Sequence, residues 1–146
     1  MNVRGAQLVT RDHVVRTIEA ERLDGGGRSR VEVRVANILS YMVLKTLAFQ
    51  DRHENKDSYD LVYCLLNFGD GPGDAGRAAA TSAVLNEAQA GDALQLLAER
   101  FETVGHDGPR AYGAFLDDGD PDDTARLRQE AVAVVREFLR ALPHGA

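Results

Sequence analysis

Lys45, Arg52, Asp57 and Asp60 fall within sixteen residues, and their types and spacing are the part of this sequence that points to chemistry. Between Ile38 and Phe49 the strongly polar side chains are Ser40, Lys45 and Thr46, so Lys45 is a lone cation in an apolar run. An ammonium placed there must snorkel to the surface, meet an acid, or hold an anionic ligand. Arg52 follows seven residues later, two helical turns along the same side, which lets the two cations address one phosphate group. Asp57 and Asp60 are three residues apart and share one side of a helix if both are helical. As candidate catalytic acids they would orient Lys45 or a nucleophile. As ordinary structure, Asp57 would serve as N-cap and Asp60 would gain from the helix dipole. The pattern alone leaves both open.

The elements that must position these residues are helices. The first, Asn37 to about Asp51, is apolar almost all round, which predicts burial on most sides. A second should begin near Asp57 or Ser58, run through Leu66, and stop at the loop Gly69-Asp70-Gly71-Pro72-Gly73. A third is expected over about Ala75 to Ala88, and a fourth after Gly91 with Asp92 as N-cap. A shorter helix should follow Gly108-Pro109. Asp120 and Pro121 then open a last helix with the stripe Leu127, Ala131, Val134, Val135, Phe138 and Leu142, ended by Pro143.

Before these helices the texture is extended. Leu8 and Val9, then His13 to Ala20, then Val31, Val33 and Val35 alternating with Glu32 and Arg34 predict two or three antiparallel strands. Asp24-Gly25-Gly26-Gly27 would form the hairpin tip. The expected fold class is therefore α+β, predominantly helical: a short N-terminal hairpin or three-stranded piece followed by a bundle of about six helices. Residues 1–146 read as a single domain, with 1–35 as the β segment and 36–146 as a helical layer. Such a small sheet has open edges and wants further strands or a covering helix.

Composition narrows the classes. Hydrophobic residues at 44% and charged residues at 27% fit a folded globular chain rather than a disordered one. No stretch approaches the roughly 18 apolar residues of a membrane span, and the start carries charges where a signal peptide has an apolar block, so a cytoplasmic location is expected. Cys64 is the only cysteine, which excludes an internal disulfide and suggests a buried, inert thiol. The histidines His13, His53, His106 and His144 have no metal-ligand spacing. Residues 1–56 carry ten Lys and Arg against seven Asp and Glu, whereas the remainder carries seven against sixteen. The acidic remainder is a poor nucleic-acid surface, and no recognition-helix pattern of Arg, Asn or Gln appears.

The segment LSYMVLKTLAFQDRHENKDSYDLVYCLLNF resembles the second-half motif of AbiEii-type nucleotidyltransferases, the toxin family of type IV toxin–antitoxin systems. In that family a helix bearing a lysine and an arginine leads into an acidic Lys/Arg-Asp-x-Tyr-Asp step and an apolar helix. Lys45, Arg52, Lys56, Asp57, Tyr59 and Asp60 stand at matching spacings. Gly108-Pro109-Arg110-Ala111-Tyr112-Gly113-Ala114-Phe115 and the closing helix are more diffusely similar to the tail of such proteins. The resemblance implies a nucleotidyltransferase-like sheet to which residues 1–35 contribute. It also implies Lys45 and Arg52 on phosphate, Mg2+ and a nucleoside triphosphate as cofactor and donor, and transfer RNA or a protein hydroxyl as acceptor.

The departure from that family concerns the metal. Its members carry an earlier Gly-Gly or Gly-Ser turn followed by an Asp-x-Asp pair, because divalent ions must bridge the triphosphate and activate the attacking oxygen. Here Gly25-Gly26-Gly27-Arg28-Ser29 is followed by the single acid Glu32, and Asp118-Gly119-Asp120 lies beyond the motif. The expectation is a nucleotidyltransferase-like protein inactive alone or completed by a partner chain. The alternative is a non-catalytic interaction module that pairs with a second chain, or with another copy of itself, through the exposed β edge.

Overall fold

The computed structural model describes residues 4–143; His144 lies outside them. Among the described residues the chain forms α1 (Ala6–Arg11), a hairpin of β1 (His13–Glu21) and β2 (Arg28–Ala36), and then six helices. These are α2 (Ile38–Arg52), α3 (Asn55–Asn67), α4 (Pro72–Ala79), α5 (Ala88–Arg100), α6 (Asp107–Phe115) and α7 (Pro121–Arg140). The α+β, predominantly helical class with six helices after the hairpin is the one the pattern predicts.

The sheet has two strands, not three. Leu8 and Val9, expected to be extended, lie in α1, where Leu8 is buried and its carbonyl accepts from the Asp12 amide. So short an apolar segment carries too few positions to separate a period of two from one of 3.6. β1 and β2 pair antiparallel from His13 opposite Ala36 to Glu21 opposite Arg28. The β segment therefore extends one residue past the expected boundary, and the Asn37 amide then donates to the Asp12 carbonyl as the chain turns into α2.

α2 is the central helix, burying Leu39, Met42, Val43 and Leu47. It packs against α3 and α5; α3 packs on α6, and α4 and α6 both pack on α7. The largest fully buried side chains, among them Leu39, Met42, Leu61, Leu65, Leu97 and Phe138, form one core within this helical body. Asp120 caps α7 as expected, accepting from the Asp122 amide, and the stripe from Leu127 to Leu142 is buried.

Helix boundaries differ from expectation at α3, α4, α5 and α6, the last beginning at Asp107 with Gly108 and Pro109 already inside it. α3 begins at Asn55, two to three residues early, with Glu54 at the N-cap position. α4 opens at Pro72 and ends at Ala79, because Thr81 Oγ1 donates to the Ala78 carbonyl and Ser82 Oγ accepts from the Val84 amide. Hydroxyls that bond the nearby backbone compete with helix continuation. α5 begins at Ala88, so Gly91 and Asp92 lie within it and Asp92 is not its cap.

Candidate functional site

α2 and α3 are joined by the tight turn His53-Glu54, in which His53 adopts a left-handed conformation at φ 54° and its amide donates to the Phe49 carbonyl. This turn folds α3 back along the last turns of α2 and brings together all four charged residues singled out in the sequence. Lys45 Nζ donates to Asp57 Oδ1 at 3.3 Å and to Asp60 Oδ2 at 2.6 Å. Arg52 Nη2 straddles the Asp57 carboxylate, at 2.7 Å from Oδ1 and 2.9 Å from Oδ2. Lys56 Nζ completes the group with two bonds of 2.8 Å to the Asp60 oxygens.

The four differ sharply in exposure. The Asp57 side chain is 3% exposed, Asp60 15%, Lys45 24% and Arg52 58%. Asp57 occupies the third position of α3, and its carboxylate turns back to α2 instead of capping α3, which has no side-chain cap. The capping reading of Asp57 is thereby corrected: two cations outcompete backbone amides for this carboxylate.

Burial alone would pull the Lys45 ammonium down, but hydrogen bonds and the charges of Asp60 and Asp57 outweigh it and hold the group above the usual lysine value. Burial likewise would raise Asp60, yet Lys45 and Lys56 hold it below the ordinary aspartate value. Asp60 is therefore ionised at neutral pH and suited to orienting a cation rather than to shuttling a proton. Tyr41 is pushed up to about 12, by burial first and by the negative field of Cys64, Asp60 and Asp57 second.

Of the other motif residues, Tyr59 is structural. Its ring lies 4.7 Å from Phe115 and 6.4 Å, stacked, from Tyr112, tying α3 to α6. Ser58 Oγ donates to the Gly108 carbonyl at 2.7 Å across the same interface. Asp57 and Asp60 do not suit a divalent cation, since each is already neutralised by basic side chains. Among the described residues no group of three or more His, Cys, Asp or Glu comes together as a metal site.

Sequence reading missed two features. The first is Asp12, 3% exposed, which accepts from Asn37 Nδ2 at 2.8 Å and Ser40 Oγ at 2.7 Å. Burial works to raise it, but bonds from Asn37, Ser40 and Ser82 prevail and hold its carboxyl low. The second is a groove of about 690 Å³ at the root of the hairpin, lined by Asp12, Val14, Val35, Tyr41, Tyr63 and Phe68 among others. Cys64 lies in this groove half-buried rather than buried, and burial raises its thiol pKa. Among the described residues no helix is long and apolar enough to cross a membrane.

No known protein family, curated protein or solved structure matches the chain.

Proposed function

We propose that these residues are the helical half of a nucleotidyltransferase-like protein, without transfer activity alone, whose metal-binding acids come from a polypeptide segment outside them. The observation that supports this reading is the convergence of Lys45, Arg52, Asp57 and Asp60, drawn from two helices, at one partly open edge. An ammonium has three donors, and Asp57 and Asp60 take two. The third donor of Lys45 and the free guanidinium edge of Arg52 remain for oxygens of a nucleoside triphosphate. Asp57 and Asp60 position those cations, and Mg2+ enters with the segment that carries its ligands. The acceptor, transfer RNA or a protein hydroxyl, comes from the resemblance alone.

Calorimetry of the full chain with Mg2+ and each of ATP, CTP, GTP and UTP tests this. One triphosphate should bind, and Lys45→Met, which keeps the apolar stem, should weaken it about tenfold with the helical circular-dichroism signal intact. Arg52→Ala is the milder second probe, because that side chain is mostly exposed. Equal binding by wild type and both variants would overturn the reading. So would transfer of label by this chain alone.

A second reading, a non-catalytic interaction module, is favoured by a separate observation. Paired residues of an antiparallel ladder share a face, so Val14, Ile18, Val31, Val33 and Val35 line one side of the hairpin with Arg16 among them. Ile18 is 49% exposed and Val31 54%. Each strand of this two-stranded sheet also has an open backbone edge, which accepts an added strand, and the apolar face would pack against what that strand brings. The two readings coincide if the added strand belongs to the metal-binding segment, and part if a second copy of the chain provides it.

A further inference from the structure

Beside the α2–α3 turn, and without Lys45, Arg52, Asp57 or Asp60 in its lining, lies a cleft of about 320 Å³ lined by Phe49, His53, Asn55, Asp107, Arg110 and Arg128, among others. Of its two arginines, Arg128 has a buried guanidinium nitrogen, Nε, without a hydrogen-bond partner among the described residues. An orphaned buried N–H costs stability, and such groups are rare in folded proteins. Among the described residues neither Arg110 nor Arg128 pairs with a carboxylate, although Asp107, held by Arg100, lines the same cleft. Asp123 and Glu130 pair with Arg126.

The seat of Arg128 is built by the backbone. Gly113 of α6 faces α7, and a Cβ added there would stand 3.2 Å from Arg128 Cγ and 3.4 Å from its Nε. The absence of a side chain lets the arginine stem lie across α6, and Arg128 lines the cleft together with Arg110, one helical turn back on α6. His53 of the α2–α3 turn and Asn55, the first residue of α3, also line the cleft.

We infer that this cleft is an anion site that takes a phosphate group, held by Arg128 and Arg110 with His53 and Asn55 in the same lining. Two guanidinium forks with an imidazole offer more donors than one carboxylate accepts, whereas a tetrahedral dianion uses them from several directions. The lining is too small and its surroundings too acidic for a nucleic-acid duplex, so the phosphate is free or is carried by a nucleotide. The inference rests on these residues and not on the role of Lys45.

The test follows the Arg128 Nε–Hε resonance in nitrogen-15 spectra of the full chain, assigned by its loss in Arg128→Lys. Inorganic phosphate, pyrophosphate and ATP are titrated separately, with acetate as the carboxylate control. Phosphate should shift the resonance saturably and acetate should not. Stronger binding of ATP at the same resonance identifies a nucleotide as the source; equal affinities identify free phosphate. Arg128→Lys, which keeps charge but loses the fork, Arg110→Ala, and Gly113→Ala, which displaces the Arg128 stem, should each weaken binding about tenfold by calorimetry. Arg110 is exposed, so its variant reports even if the Arg128 or Gly113 variants fold poorly. Lys45→Met should leave phosphate binding here unchanged, which separates this site from the one proposed for triphosphate. Absence of a saturable shift with all three phosphates, or equal affinity in wild type and Arg110→Ala, would overturn the inference.

Discussion

Asp57 is the residue on which the charged cluster turns, because it is buried and receives both Lys45 and Arg52. Removing it strands a partly buried ammonium against one remaining acid, whereas removing exposed Lys56 leaves Asp60 its bond to Lys45. Asp57→Ala should therefore cost about 2 kcal/mol in urea unfolding. Lys56→Ala should cost no more than about 0.5 kcal/mol. The pH dependence follows from the same groups. Asp60 and Asp12 are held below their unfolded values, so their stabilisation is present above about pH 4 and is lost as pH falls through the folded values. Lys45 is held above its unfolded value, so its contribution is complete below about pH 10 and is lost as pH rises through the folded one. Urea midpoints should thus fall on both flanks, with the acid limb shallower in Asp60→Asn; an unchanged limb in that variant would place the proton uptake elsewhere. Lys45, Arg52, Asp57 and Asp60 were legible because they lie close in sequence on two adjoining helices. Asp12 was not, since its partners Asn37 and Ser40 stand 25 and 28 residues away. Arg128 was hidden for the same reason, its seat being made by Gly113 on another helix.

At the scale of elements, α4 and α7 approach each other closely at Gly76. Gly76 faces Phe138 so tightly that an added Cβ would overlap the Phe138 carbonyl oxygen and crowd the Ala141 side chain. Backbone cannot give way as a flexible side chain can, so Gly76→Ala should cost about 2 kcal/mol or more despite the better helix propensity of alanine. A lower thermal midpoint with unchanged helix content checks this; a gain in stability would mean that the two helices can part. The sequence marks α7 clearly, because Asp120 and Pro121 precede a long stripe of period 3.6. It marks the end of α4 and start of α5 poorly. The run from Ala78 to Ala93 is rich in alanine with few large apolar side chains, and hydroxyl-to-backbone bonds at Thr81 and Ser82 break the helix without a proline or glycine to announce it.

On the scale of the whole molecule, the chain divides into a helical body with one continuous core and a hairpin that projects from it with an apolar face uncovered. Beyond its root the hairpin is stabilised by its own ladder and by little else, since only Val14, Val33, His13 and Ala36 of the two strands are even half-buried. A lone two-stranded sheet is marginal in water, while residues of a helical core open only with the global transition. Native-state hydrogen exchange should therefore show amides of Ile18 and Val31 exchanging orders of magnitude faster than those of Leu61, Leu65 and Phe138 in dilute protein. A strand added by the metal-binding segment or by a second copy would slow the hairpin amides and leave the body unchanged. Slowing that grows with protein concentration points to self-pairing, and Val31→Lys should abolish it by placing a charge on the apolar face. Hairpin amides as protected as the core in dilute protein would show that the two strands are complete in themselves, and the reading of an unfinished sheet would be lost.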